Sequence, residues 1–241
     1  MKSPAARLIE AIHREDLPGV KLLVKRGCQP THLSEGELPL VQACRHGLAD
    51  IARFLLDHGA EIDQQDEVFH HSALTVSCEQ GHVALVEELL RRGANPRQLR
   101  EGVCCPLSDT GFGKEKRRTA IARMLLAAGA DPRQVFHSED GSAVSDVLLT
   151  CCASASTELI ALLLDAGADV NSRHFFGTPL IAAAENKRAD VAKLLLERGA
   201  DPGIRLADHP KLQDLAGKTA REIAAMNRYA KVVAVIDGHQ R

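Results

Sequence analysis

A short glycine-centred stop recurs along the chain at a nearly fixed interval, and it limits what the chain can fold into more than any other feature. It reads KRGCQP at Gly27, DHGAEI at Gly59, RRGANP at Gly93, AAGADP at Gly129, DAGADV at Gly167 and ERGADP at Gly199. Successive glycines lie 32, 34, 36, 38 and 32 residues apart. Each stop ends a pair of helical patterns, and a seventh pattern runs through GKTAREIA without one. A period in the range of about 20–50 residues is the mark of a stacked array, whose units bury their apolar faces only against their neighbours. Such an array is a surface for holding something.

The residue types suit that packing. Hydrophobic residues make up 45% of the chain but aromatics only 3%, and there is no Trp. The expected core is therefore Leu, Ala, Val and Ile. The 30 basic and 32 acidic residues nearly cancel, which argues against nucleic acid as a partner. The opening MKSPAARLIEAIHRED carries charges throughout and does not read as a signal peptide. No apolar run reaches the roughly 18 residues a membrane helix needs. A cytoplasmic chain that is monomeric when free is the expectation. Cys44, Cys78 and Cys152 occupy one slot in three repeats, filled by Ala184 in the sixth, so Cys reads there as a small buried hydrophobe in a reducing compartment.

The sixth unit, FGTPLIAAAENKRADVAKLLLERGADP, is the clearest. Thr178-Pro179 opens a helix with proline at the first helical position. Leu180, Ala183 and Ala184 share a face, and Asn186-Lys187 turns the chain. Val191, Leu194, Leu195 and Leu196 line the second helix, and Gly199 ends it in a left-handed cap. The TPLxxAA, VxxLL and GAD elements in register resemble the ankyrin repeat. The second and third units repeat the likeness through LPLVQACRHGLADIARFLLDHGAEID and SALTVSCEQGHVALVEELLRRGAN. The resemblance implies an all-α solenoid of about seven stacked helix pairs with N- and C-terminal caps, filling the chain as one domain. Its units would span approximately 5–30, 34–66, 68–98, 102–134, 140–172, 175–203 and 216–241. It also implies protein binding through the concave face of the first helices and the loop tips.

Catalytic signatures fail on inspection. AGKT at 216–219 lacks the upstream glycine of a phosphate loop, since position 212 is Leu. Gly111-Phe112-Gly113-Lys114 fails similarly. No Cys-x-x-Cys pair and no helical His pair suggests a metal, and no nucleophile elbow is present. Neither cofactor nor enzyme activity is expected. His82, in a Gly-His turn, reads as a bond between neighbouring loops, and His70-His71 as a loop tip.

Aligning the units places a partner surface. The residues after each small pair in the first helix point to the concave side: His13/Arg14, Arg45/His46, Glu79/Gln80, Ala153/Ser154 and Glu185/Asn186. This face grades from basic to acidic, which favours an acidic patch docking on the first two repeats. Of the six Phe, only Phe54 falls in a second-helix core register. Phe69, Phe136, Phe175 and Phe176 lie in lead-in loops, and Phe112 lies in the enlarged turn of the fourth unit. Phe176 is expected to fold back beside Gly177, whereas Phe69 and Phe175 are candidate partner contacts. With the basic run from Lys114 to Arg118, the candidate binding set is Arg45, His46, Phe69, His71, Glu79, Gln80, Phe112, Lys114, Phe175 and Glu185. The fourth and fifth units both break the pattern, so a cavity or a mobile segment is expected where they meet.

The function that follows is a non-catalytic module that occupies, masks or bridges a protein partner. An immunity protein neutralising a bacterial toxin and a secreted effector acting on host proteins are the narrower alternatives. An enzyme, or a thiol sensor built on Cys104-Cys105, is the least favoured.

Overall fold

The computed structural model describes residues 3–100, 102, 104–111, 115–207 and 214–239. Among the described residues the helices come in seven pairs: α1 (Pro4–His13) with α2 (Leu17–Lys25), α3 (Pro39–Arg45) with α4 (Ala49–Asp57), α5 (Ala73–Gln80) with α6 (Val83–Arg91), α7 (Pro106–Asp109) with α8 (Glu115–Ala127), α9 (Val147–Cys152) with α10 (Thr157–Asp165), α11 (Pro179–Glu185) with α12 (Ala189–Glu197), and α13 (Ala220–Met226) with α14 (Ala230–His239). The first helices stack on one another in unbroken sequence from α1 to α13. The second helices stack α2 on α4, and then from α6 through α14. The expected helical solenoid is the fold. Among the described residues, no helix is long and apolar enough to cross a membrane.

Local chemistry sets where the first helices begin. Pro39, Pro106 and Pro179 stand at helix starts, where a missing N–H costs nothing. Ser72, Asp146, Thr178 and Thr219 cap their helices through side-chain oxygens. The small pairs then do what close packing asks: Ala43 with Cys44, Ser77 with Cys78, Cys151 with Cys152 and Ala183 with Ala184 are all buried between stacked helices. Ser77 satisfies its hydroxyl by donating to the Ala73 carbonyl at 2.7 Å.

The second helices bury a repeating triad, seen as Ile51, Ala52 and Leu55, as Leu85, Val86 and Leu89, and as Val191, Ala192 and Leu195. In the sixth pair Leu196 is buried too, but Leu194 only partly. The six stop glycines all have φ between 90° and 101°. The residue after each donates its N–H to the carbonyl five positions back, as Ala60 does to Leu55 at 3.0 Å and Ala200 to Leu195 at 2.9 Å. This is the left-handed cap read from the sequence. A side chain four residues after one stop then bonds the glycine carbonyl of the next: Arg97 to Gly129 at 2.5 Å, Arg133 to Gly167 at 2.6 Å and Asn171 to Gly199 at 3.1 Å. The units are thus stapled at the same point in successive repeats.

Among the described residues, one hairpin interrupts the helical pattern. The long lead-in to the fifth unit folds as an antiparallel hairpin of β1 (Val135–His137) and β2 (Ala143–Asp146), with Phe136 opposite Ser145 and an irregularity after Phe136. Phe136, expected in a loop, is fully buried. Alternation along a strand turns it inward while His137 faces solvent. The hairpin is tied on both sides: His137 N–H donates to Gly102 O at 3.1 Å, and Phe175 N–H to Ala143 O at 3.2 Å.

Candidate protein-interaction surface

The tip between the second and third pairs is built on Asp66. Its carboxylate is buried, and Oδ1 accepts the N–H groups of Phe69 at 2.9 Å and His71 at 3.1 Å. The Asp66 N–H donates to the His71 carbonyl at 2.9 Å, so the loop closes on itself. That closure holds Phe69 outward, 56% exposed, beside an equally apolar Val68 at 45%. Arg45 from the end of α3 lies against the Phe69 ring, with its guanidinium carbon 5.4 Å from the centroid.

Behind the tip lies a chain of charges crossing three repeats. Arg45 Nη2 is 3.6 Å from Asp66 Oδ2 and 3.3 Å from His71 Nδ1. His71 Nε2 is 3.1 Å from Glu79 Oε2. Arg100 packs against the same edge of His71. It donates to Cys104 Sγ at 3.0 Å and to Asp109 Oδ1 at 3.3 Å. The hydrogen bond from His71, supported by the Arg100 and Arg45 charges against the cost of burial, holds the Glu79 carboxyl below its ordinary range. Asp109 goes the other way: burial pushes its carboxyl up to about 6, although Arg100 opposes it. Among the described residues, its Oδ2 has no hydrogen-bond partner.

Four candidate residues chosen from sequence, Arg45, Phe69, His71 and Glu79, are therefore neighbours in space. Their roles differ from the expectation. His71 is not a projecting contact: it is 5% exposed and ties Arg45 to Glu79. Arg45 and Glu79 are half-buried, each with part of its surface open. His46 and Gln80 are exposed one position further on, and the His46 ring meets His13 edge-on at 5.4 Å. Phe112 and Lys114 lie outside the described residues. The expected loop bond of His82 is present, Nε2 standing 3.3 Å from the Arg45 carbonyl.

Sequence reasoning missed Asp66, Arg100 and Asp109. The Asp66 tip carried a readable signal, an Asp shortly before the Ser72 cap that can fold back on its own loop. Arg100 and Asp109 carried none, because what matters about them is which neighbours they meet. Cys105 is buried and pushed up to about 11, against its role as a reactive thiol.

A second set, Phe175 and Glu185, lies at the fifth and sixth pairs. Here the expectation is reversed: Phe176 is 50% exposed, while Phe175 is half-buried. The N–H groups of both pair with β2, Phe176 donating to Val144 O at 3.4 Å. Their rings meet edge-on at 4.8 Å. Phe176, Val144, Leu149, Ala153 and Ala182 surround a groove of about 550 Å³, edged by Glu185 and Asn186. The opening thus sits one junction beyond the expected one. Burial pushes the Glu185 carboxyl upward.

Comparison with known proteins places these features in context. An ankyrin repeat and KH domain-containing protein of Caenorhabditis briggsae is 28% identical over 80% of this chain, which spans only 8% of that protein. The E3 ubiquitin-protein ligase KEG of Arabidopsis thaliana is 27% identical over 86% of the chain, which spans 15% of it. Human ankyrin repeat and SOCS box protein 6 is 27% identical over 76% of the chain, which spans 48% of that protein. The crystal structure of the human ASB11 ankyrin repeat domain superposes with a TM-score of 0.79 over 99% of this chain and 98% of that one, at 24% identity, a likeness of fold. The family model for ankyrin repeats in three copies matches residues 8–100, 114–206 and 148–237. Ankyrin arrays are generally non-catalytic modules that mediate protein binding. The chain belongs to the ankyrin-repeat family.

Proposed function

We propose that this chain binds a folded protein partner along the face of its first helices and the tips between its repeats, without catalysis of its own. The observation that carries this reading is where large apolar side chains are left in solvent. Of Leu22, Val68, Phe69, Leu99, Phe176 and Met226, four stand in the connections between repeats, at Val68, Phe69, Leu99 and Phe176. Aromatics displayed on stapled loops lose little entropy on binding and dominate contact energies. Six of the seven cysteines are buried, and no disulfide forms among the described residues, which supports a reducing compartment such as the cytoplasm.

The finer role we favour is that of an adaptor. Relatives named for a SOCS box, and one named as an E3 ubiquitin-protein ligase, carry such repeats alongside other segments, which supports an array that selects a protein for something else to act on. The test is capture from a lysate of the source organism with the native chain and a Val68→Ala/Phe69→Ala variant. A stoichiometric partner, weakened tenfold or more by the variant, is the expected result. A partner held equally by the variant excludes this tip as its seat, and absence of any stoichiometric partner overturns the reading. An adaptor also brings down a second protein that does not compete with the first, whereas an inhibitor, immunity protein or effector occupies one target alone.

A further inference from the structure

We infer that the groove between the fifth and sixth helix pairs seats an extended segment of a partner protein bearing a lysine or arginine next to an apolar residue, with Glu185 as the counter-charge. This deepens, and rests on, the protein-binding reading.

The groove has an apolar floor and an acidic edge. Leu149 and Ala153 from the α9 region, Ala182 from α11, Val144 and Phe176 make up its apolar lining, and the Phe176 N–H donates to the Val144 carbonyl at 3.4 Å. At about 550 Å³ it has room for a few side chains. Among the described residues, Glu185 is the one charged side chain lining it. It is half-buried, and no described residue gives it a hydrogen bond or an ion pair.

The remaining polar groups narrow the choice. Ser145 and Thr150 bond each other at 3.0 Å, and Ser138 is engaged by Asp140 at 2.6 Å, so the hydroxyls are occupied. Asn186 donates its amide to the Ala182 carbonyl at 2.9 Å, so its amide oxygen is the group it can offer as an acceptor. Two acceptors, one of them charged, call for a cationic donor. Lys187 does not supply it, since its ammonium lies over the Tyr229 ring at 5.7 Å. Beside Ser138, exposed Glu139 and Asp140 add to the negative field and disfavour an anionic occupant. A wholly apolar segment would bury the Glu185 carboxylate unpaired, which is costly. A lysine or arginine answers both demands, because its methylene stem covers the apolar floor while its head reaches the carboxylate.

The test selects phage-displayed random 12-residue peptides on the full chain and measures the winners by fluorescence polarisation. Enriched peptides should share a basic residue flanked by an apolar one. Glu185→Gln, Ala153→Leu filling the floor, and norleucine in place of the basic residue should each weaken binding about tenfold or more, the equivalent of about 1.4 kcal/mol. Leu22→Ala, at an exposed position on α2 away from the groove, should leave it unchanged. If Glu185→Gln lowers the melting temperature, the norleucine peptide decides by itself. No enrichment, enrichment without a basic position, or indifference to norleucine overturns the proposal. A native partner lost in the Val68→Ala/Phe69→Ala variant but held equally by Glu185→Gln and Ala153→Leu also overturns it, and leaves the protein-binding reading standing.

Discussion

Arg45 lies between Phe69 and Asp66: its guanidinium carbon is 5.4 Å from the Phe69 ring centroid, and its Nη2 is 3.6 Å from the buried Asp66 carboxylate. The display of an apolar ring in solvent and the burial of a charge behind it are therefore one arrangement. The two partners of Arg45 should respond very differently to substitution.

Phe69→Ala removes a side chain that is mostly in water, so stability should change by no more than about 1 kcal/mol. Asp66→Ala strips the acceptor from two backbone N–H groups and leaves Arg45 without its carboxylate, at a cost of about 2–4 kcal/mol. Urea denaturation of both variants checks this. Equal losses would mean that Phe69 packs rather than projects.

Asp109 gives a pH signature. Its folded-state carboxyl titrates near 6 rather than at its ordinary 3.8, because of burial. Its contribution is fully present below the unfolded value and is lost as pH rises through about 6, since the folded state keeps the proton longer. Asp109→Asn should therefore gain stability relative to the native chain between pH 5 and pH 8, by about 1.4 kcal/mol. Glu79, whose carboxyl is held low, stays ionised at both pH values and does not mask the comparison. Paired thermal melts at pH 5 and 8 would show it. A gap of the opposite sign rejects the buried-carboxyl account.

Thiol chemistry should single out one residue. Cys104 is partly exposed, whereas the other six cysteines are buried. Burial pushes Cys44 up to about 12 and Cys105 up to about 11. A chromogenic disulfide reagent on the native chain should give a single fast phase that disappears in Cys104→Ser. The other thiols should react only as the chain unfolds. A fast phase from Cys105 would revive the thiol-sensor reading.

Gly177 should be far less replaceable than the stop glycines. Both Gly177 and Gly59 have positive φ, 96° and 93°. An added Cβ at Gly59 meets nothing within 4 Å, but at Gly177 it would come within 3.0 Å of Ile181 and Leu206 side chains. Gly59→Ala should cost about 1 kcal/mol from backbone strain, and Gly177→Ala about 2–3 kcal/mol because packing strain adds to it. Chemical denaturation of the two variants ranks them. Equal costs would mean that the Ile181 and Leu206 side chains yield freely.

Much of the fold was legible because its determinants are local. A glycine needed for positive φ, a proline at a helix start, a small pair between stacked helices and a triad on the second helix recur with the repeat, so each could be read from its own few residues. The candidate site was only half legible. Arg45, Phe69 and Glu79 could be placed by register, because register states which face a residue occupies. His71 was misassigned because its loop position suggested exposure, and nothing near it in sequence reveals that Arg45, Glu79 and Arg100 close over it. The same holds for the exchange between Phe175 and Phe176. Strand pairing to Ala143 and Val144, some thirty residues away, decides which ring faces out.

From its sequence alone, this protein is determined to be an ankyrin array, since each unit carries its own instructions and repeats them. Tertiary structure alone decided the charge chain from Arg45 to Asp109, the inward turn of Phe136 and the groove beside Glu185. Those depend on which side chains meet across repeats, and a one-dimensional period specifies that neighbours stack without specifying what their loops bring together.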